Sequence, residues 1–288
     1  MSFTVFADGC ANLPKQLLDG IELLPCDYLV NDIPVTYTGD IEDFDGHAYY
    51  KGLKNGDKVK TSLLNTALFL EHFTPIASKG GDIIYIAMSS GISGTYNAAV
   101  AAATDLMEEY PDSFIHIVDS HGCGFGNGIL ALKAAKLNKE GCDTKEAARI
   151  LDEAVPHACQ YFTVDDLNFL KNTGRVSGVT AQIGTILNIK PILFGDSTGH
   201  IISCDKVRGR KNAIKAIVQK YAEKRIVDTD DQIVCISHGD CIDDANKLAA
   251  MVMEINPKAR ITISQHEPFS GAHVGPGMLG LFFWGIER

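Results

Sequence analysis

The sequence predicts an α/β protein of two domains. The first is built on a mostly parallel sheet flanked by helices, the second on a mixed sheet with helices of its own. Three observations carry this reading. In the first half, short apolar runs alternate with helical patterns, as in a layered α/β fold. Ile83–Met88 is apolar without alternation, as in a strand covered on both faces of a parallel sheet. Near residue 158 the pattern changes and a new series of strands and helices begins. The boundary is placed within 155–162, giving an N-terminal domain of residues 1–157 and a C-terminal domain of residues 158–288. With no long linker between them, the cleft between two packed domains is the default ligand site.

Phe3–Ala7 reads as the first strand, ended by Asp8-Gly9, and Pro14 opens a short helix. Pro25, Pro34 and β-favouring neighbours make 20–41 a set of short extended pieces. Phe44–Leu53 reads as a helix stopped by Asn55-Gly56, and Thr66–Ile76 as a helix with Leu68, Phe69 and Phe73 inward. A helix follows Ser93, then the strand Phe114–Val118, a helix from Gly126 to Asn138, and another from Thr144 to Pro156. In the second half, Tyr161–Val164 is a strand and the next helix ends at Gly174. Beyond Lys190–Leu193 come a helix (Arg208–Lys224), a strand (Gln232–Ser237) and a helix (Ile242–Ile255). Two strands close the chain, Arg260–Ser264 and Met278–Trp284.

Composition narrows the function classes. Apolar residues make up 45% of the 288 and charged residues 22%, a folded globular balance. A formal charge of -10 argues against non-specific nucleic-acid binding, which rests on Lys and Arg neutralising phosphates. It also argues against broad adhesion to an anionic membrane. The run Phe3–Ala7 is too short for the apolar core of a signal peptide, and Gly277–Ile286 falls short of the ~20 residues that span a bilayer. A cytoplasmic protein is expected. The eight cysteines form no C-x-x-C pair and are read as free thiols, with zinc or a disulfide framework as alternatives.

The chemistry concentrates at Ser89–Tyr96, a hydroxyl- and glycine-rich turn between a strand and a helix. Free N–H groups at the positive end of a helix make such a turn an anion site. Ser93 also stands where a nucleophile elbow would put it, but G-x-S-x-G fails because residue 95 is Thr. The order Ser93, Asp119, His273 matches that of an α/β-hydrolase triad. Three readings stay open: capping hydroxyls, an anion site, and an esterase-like serine hydrolase using Ser93.

Thr61-Ser62 reads as a helix N-terminus shared with Asn65 or Thr66. Gly122–Gly128 has glycine at alternate positions but is neither G-x-G-x-x-G nor a P-loop, so it points to close backbone approach. His273 sits in the glycine-rich stretch Gly271–Gly277, read as a loop, where imidazole can donate to an anion. No histidine spacing suits a metal. Lys206, Arg208 and Arg210 head the sharpest basic run of an acidic chain. Such a run usually reads as a solvated helix start; because basic side chains there oppose the dipole, a partner-facing role is the second reading.

Several segments together resemble the bacterial DegV family of fatty-acid-binding proteins. They are Thr61-Ser62, Ser89–Tyr96, Asp119-Ser120, Phe169–Ser177, Leu187–Leu193, Lys206–Arg208 and Gly271–Gly277, in family order along nearly the whole chain. The resemblance implies a long-chain fatty acid, such as palmitate or oleate, buried between two α/β domains. It further implies a carboxylate held by Thr61 and Ser93, with the Gly94 N–H and His273 nearby. No metal, cofactor or catalytic residue is implied. Some members present the acid to a separate kinase that phosphorylates it, which makes Lys206, Arg208 and Arg210 candidates for docking that kinase and leaves room for a transient membrane contact. The sequence departs from the family pattern at Asp8-Gly9-Cys10, Leu63-Leu64 and Thr173-Gly174-Arg175.

Overall fold

The computed structural model describes residues 2–176, 188–227 and 233–288. Ser177 and Leu187, at the ends of two motifs, and Gln232, the start of one expected strand, lie outside them.

Four parallel strands form the first sheet: β1 (Phe3–Asp8), β2 (Glu22–Leu24), β6 (Asp82–Ala87) and β7 (Ile115–Asp119), in the order β2-β1-β6-β7. Side chains alternate between its faces, so both must be covered. Val5, Ile84, Ile86 and Val118 pack with Ile129, Leu130 and Ala134 of α4 (Phe125–Lys139) and Leu151 of α5 (Thr144–Ala154). Phe6, Ile83 and Tyr85 pack with Phe69 and Phe73 of α2 (Thr66–Ala77) and Ala102 and Leu106 of α3 (Thr95–Glu109). The expectation of an α/β fold with a parallel first sheet holds.

The second half contains a mixed six-stranded sheet, as expected. Its strands are β8 (Ala158–Thr163), β9 (Ile189–Gly195), β10 (Ile201–Arg208), β11 (Ile233–His238), β12 (Arg260–Gln265) and β13 (Leu279–Trp284). The order is β10-β9-β8-β13-β11-β12, antiparallel except for β11 with β12. One face carries α7 (Arg210–Lys224) and α8 (Ile242–Ile255) through Ile217, Tyr221, Leu248 and Val252. The other contributes Phe162, Leu193 and Phe282 to the cluster that also holds α4 and α5, and α4 lies between the two sheets. The glycine run before and within α4 permits this. A Cβ on Gly128 would stand 2.4 Å from the Ala11 carbonyl oxygen, and Gly124 adopts φ +61°.

Several local expectations are corrected. The helix from Phe44 begins at Gly46 as α1 (Gly46–Lys54), because the Asp45 carboxylate accepts the Ala48 N–H. Pro14 precedes only a single 3₁₀ turn, Lys15–Leu17. The extended pieces of 20–41 include β3 (Cys26–Val30) and β4 (Ile33–Tyr37), which join β5 (Val59–Thr61) in a third sheet, β4-β3-β5. Thr61 therefore ends a strand, whereas a helix N-terminus was expected. Lys206 and Arg208 lie on β10, and α7 starts at Arg210, so the basic run is mostly an edge strand. His273 lies in α9 (Pro268–Val274), not in a loop; the Glu267 carboxylate caps that helix on the Phe269 and Ser270 N–H groups. The segment before Gly174 contains α6 (Asn168–Asn172).

Candidate functional site

The Ser89–Tyr96 turn follows β6 and leads into α3, and its hydroxyls are tied to the backbone at short range. Ser93 Oγ accepts the Thr95 N–H at 3.2 Å and pairs with Thr95 Oγ1 at 3.0 Å. Thr95 Oγ1 in turn accepts the Leu64 N–H at 3.2 Å, which fixes the loop after Thr61 against the turn. Ser89 Oγ donates to the Gly199 carbonyl at 2.9 Å, so the β9–β10 hairpin rests on the same turn. Gly91 makes that approach feasible: a Cβ there would meet the Gly199 carbonyl carbon at 2.6 Å.

These segments border a cavity of about 490 Å³, a size suited to a small organic ligand. Thr61, Ser93, Gly94 and His273 all line it. So do Ile92, Phe162, Leu170, Ile201, Phe269 and Phe282, drawn from both halves of the chain. Polar side chains make up the smaller part of the lining. Thr61 Oγ1 lies 2.9 Å from His273 Nε2, a contact made because β5 ends beside α9. His273 Nδ1 is buried and has no partner among the described residues. Burial, with a smaller contribution from the nearby Arg175 guanidinium, pushes the His273 imidazole down to about 4, so the ring is neutral near pH 7.

Arg175 lines the same cavity and was given no role in the sequence reading. The signal was there, as Gly174-Arg175 inside a motif, but a guanidinium cannot be aimed from sequence. Its side chain donates to the Thr173 carbonyl. His266 is a second unforeseen lining residue, wedged between Ser237 Oγ (3.0 Å) and Ser270 Oγ (2.8 Å), and burial pushes it down to about 3.

The hydrolase constellation does not assemble. Ser93 Oγ is bonded to Thr95, and His273 to Thr61. Asp119 accepts the Ser90 and His121 N–H groups and pairs with the His121 ring at 3.4 Å. Among the described residues no carboxylate reaches His273 Nδ1, so the orienting member of a triad is missing there.

The basic residues divide. Lys206 and Arg208 are exposed on the edge strand β10. Arg210 is only 19% exposed, with Nε on Asp244 at 2.9 Å and one terminal nitrogen on the Gly277 carbonyl at 2.7 Å. It ties α7 to α8 and to the turn before β13. Among the described residues no helix is long and apolar enough to cross a membrane.

Comparison with known proteins fits this geometry. A family model described as that of an uncharacterised protein family, the DegV family, matches residues 2–285. The chain belongs to the DegV family. A DegV domain-containing protein of Clostridium perfringens is 37% identical over 287 residues, covering 99% of this chain and 98% of its own. A DegV relative from Lactococcus lactis is 31% identical, covering 98% and 97%. Among solved structures, a Bacillus subtilis DegV described as a fatty acid binding protein is 27% identical, covers 99% of both chains and has a TM-score of 0.84. A Thermus thermophilus DegV family protein, described by its fatty acid binding, covers 99% of this chain and all of its own, with a TM-score of 0.86; at 23% identity it supports the DegV fold alone.

Proposed function

We propose that this chain binds a long-chain fatty acid, such as palmitate or oleate, in the cavity between an N-terminal domain of residues 1–157 and a C-terminal domain of residues 158–288. The observation that carries the reading is the Thr61–His273 contact of 2.9 Å beside Ser93 and Gly94 in the wall of a mostly apolar cavity. A neutral His273 protonated on Nε2 donates to Thr61 Oγ1. The Thr61 hydroxyl proton is then free to point at a carboxylate, joined by the Ser93 hydroxyl and the Gly94 N–H. Arg175 adds a positive charge nearby. A buried carboxylate costs several kcal/mol unless such donors meet it, and burial of the acyl chain, at ~0.8 kcal/mol per methylene, supplies the affinity. The Bacillus subtilis relative described as a fatty acid binding protein supports the ligand class.

In this reading the chain is not itself a catalyst. It presents the acid to a separate kinase that forms the acyl phosphate, docking through Lys206 and Arg208 in the cytoplasm, with at most a transient membrane contact. Native mass spectrometry of gently purified protein, followed by titration with palmitate and oleate, tests the core of this reading. A co-purified acid or saturable binding is expected; a lipid-free protein that also fails to bind either acid overturns it. The hydrolase alternative predicts labelling of Ser93 by a fluorophosphonate, and no labelling is expected.

A further inference from the structure

Behind the cavity wall lies a buried cluster that fatty acid binding leaves unused. Cys10 sits in the single turn after β1, Cys123 in the turn before α4, and Glu267 at the cap of α9. The two Sγ atoms and a Glu267 carboxylate oxygen lie within 4.8 Å of one another. The Cys10 thiol also meets that of Cys26. Cys10, Cys26 and Glu267 are buried, and Cys123 borders the cavity. We infer that Cys10, Cys123 and Glu267 form a binding site for Zn²⁺, with Cys26 as a further donor beside Cys10.

The donor set selects the metal. Two thiolates and a carboxylate suit a borderline-soft ion; Mg²⁺ and Ca²⁺ take oxygen ligands, and an iron–sulfur cluster takes four cysteines. With Zn–S near 2.3 Å, tetrahedral ligand atoms stand about 3.5–3.8 Å apart, so closing the cluster needs movements of about 1 Å by side chains that can rotate. Glu267 already accepts the Phe269 and Ser270 N–H groups and the Ser270 hydroxyl, which orient it, and a cation would take the place of the hydroxyl's bond on one oxygen. Asn12, whose Oδ1 accepts the Glu267 N–H at 2.7 Å, is fully buried, and its Nδ2 has no partner among the described residues, a donor suited to a metal-bound thiolate. Asp8, hydrogen-bonded to Tyr85 and Met88, adds a second buried carboxylate next to Cys10. A divalent cation would offset the cost of ionising these groups away from water. Sequence spacing could not reveal the site, because its ligands come from three segments far apart in the chain.

The site stands independently of the fatty acid reading, so the full-length chain without a histidine tag is the material to test. After exposure to Zn²⁺ and gel filtration, elemental analysis should find about one zinc per chain. Co²⁺ in its place should give a thiolate-to-cobalt charge-transfer band in the near ultraviolet. Cys10→Ser and Cys123→Ser should each abolish that band and lower Zn²⁺ affinity by more than about 100-fold, beyond what outer-shell changes cost. Cys204→Ser, at an exposed thiol, should change neither. Should the serine variants fold poorly, alkylation of wild-type protein in mild denaturant provides a second readout, with Zn²⁺ protecting Cys10 and Cys123 but not Cys204. Wild-type protein with no stoichiometric zinc, or a cobalt band that survives both serine variants, overturns the assignment.

Discussion

The Thr61 hydroxyl stands 2.9 Å from Nε2 of His273 across a sequence separation of 212 residues. Neither residue is remarkable on its own strand or helix. Together they stand in the cavity wall that Ser93 and Gly94 share, and in the proposed reading the imidazole donates to the Thr61 oxygen and leaves its proton for a ligand.

Replacing either hydroxyl should therefore weaken the hold on a carboxylate. Thr61→Val and Ser93→Ala are each expected to cost about 1–3 kcal/mol of palmitate affinity, roughly 5- to 150-fold in Kd. Isothermal titration of delipidated protein measures this. Affinities equal to wild type would remove that hydroxyl from the carboxylate site.

His273 gives a pH signature in stability. The folded imidazole is held down to about 4, mainly by burial, against an ordinary value of 6.5. Below 6.5 the unfolded chain takes up a proton that the folded chain refuses until about pH 4. Stability from this group is thus complete above 6.5 and declines as pH falls towards 4, by about 3 kcal/mol at most. The stability difference between wild type and His273→Asn should stay level above pH 7 and move in favour of the variant between pH 6.5 and 4. Urea melts of the delipidated proteins across that range would show it; a difference that stays level down to pH 4 would contradict the buried, neutral assignment.

Local pattern made the first sheet legible, because Ile83–Met88 and Phe3–Ala7 are long enough to declare burial on both faces. It did not disclose β5, whose three residues are too few for any periodicity and are held by pairing with β3. Thr61 was therefore singled out with the wrong backbone around it. The helix bearing His273 was hidden by Gly271 and Gly275, although Glu267-Pro268 is a cap followed by proline at a first turn. The edge strand β10 alternates poorly and contains a bulge between Ser203 and Asp205, so its basic residues looked like a helix start. Partnerships such as Thr61 with His273, or Arg210 with Asp244, arise from tertiary packing and have no local signature.

Gly91 tests the junction between the hydroxyl turn and the β9–β10 hairpin. A methyl group there would stand 2.6–2.8 Å from Gly199 and His200 backbone atoms, which cannot swing aside as a flexible side chain could. Gly91→Ala should force the hairpin off Ser89, costing about 1–3 kcal/mol in stability as overpacking does and loosening the cavity wall that Gly199 and Ile201 provide. Thermal denaturation together with palmitate titration would register both effects. An alanine variant with wild-type melting and affinity would mean that the hairpin does not close against this turn.

Arg208 and Arg210 are two residues apart but should behave oppositely. Arg208 is exposed on an edge strand, so Arg208→Ala should leave the fold and palmitate affinity within about 0.5 kcal/mol of wild type. In a reconstituted phosphorylation assay with a partner kinase it should raise the apparent KM for the loaded protein, more strongly at low salt because an exposed charge acts chiefly on association. Arg210 instead joins Asp244, the Gly277 carbonyl and Cys241, and Asp165 lies 3.7 Å away. Arg210→Ala removes the bonds to Asp244 and the Gly277 carbonyl, while Lys247 still reaches Asp244 and Lys190 still reaches Asp165, and should lower stability by about 1–3 kcal/mol. Measuring melting temperature and phosphorylation on the two variants separates the roles. A destabilised Arg208→Ala protein, or one whose KM matches wild type at every salt concentration, would exclude Arg208 from the docking surface.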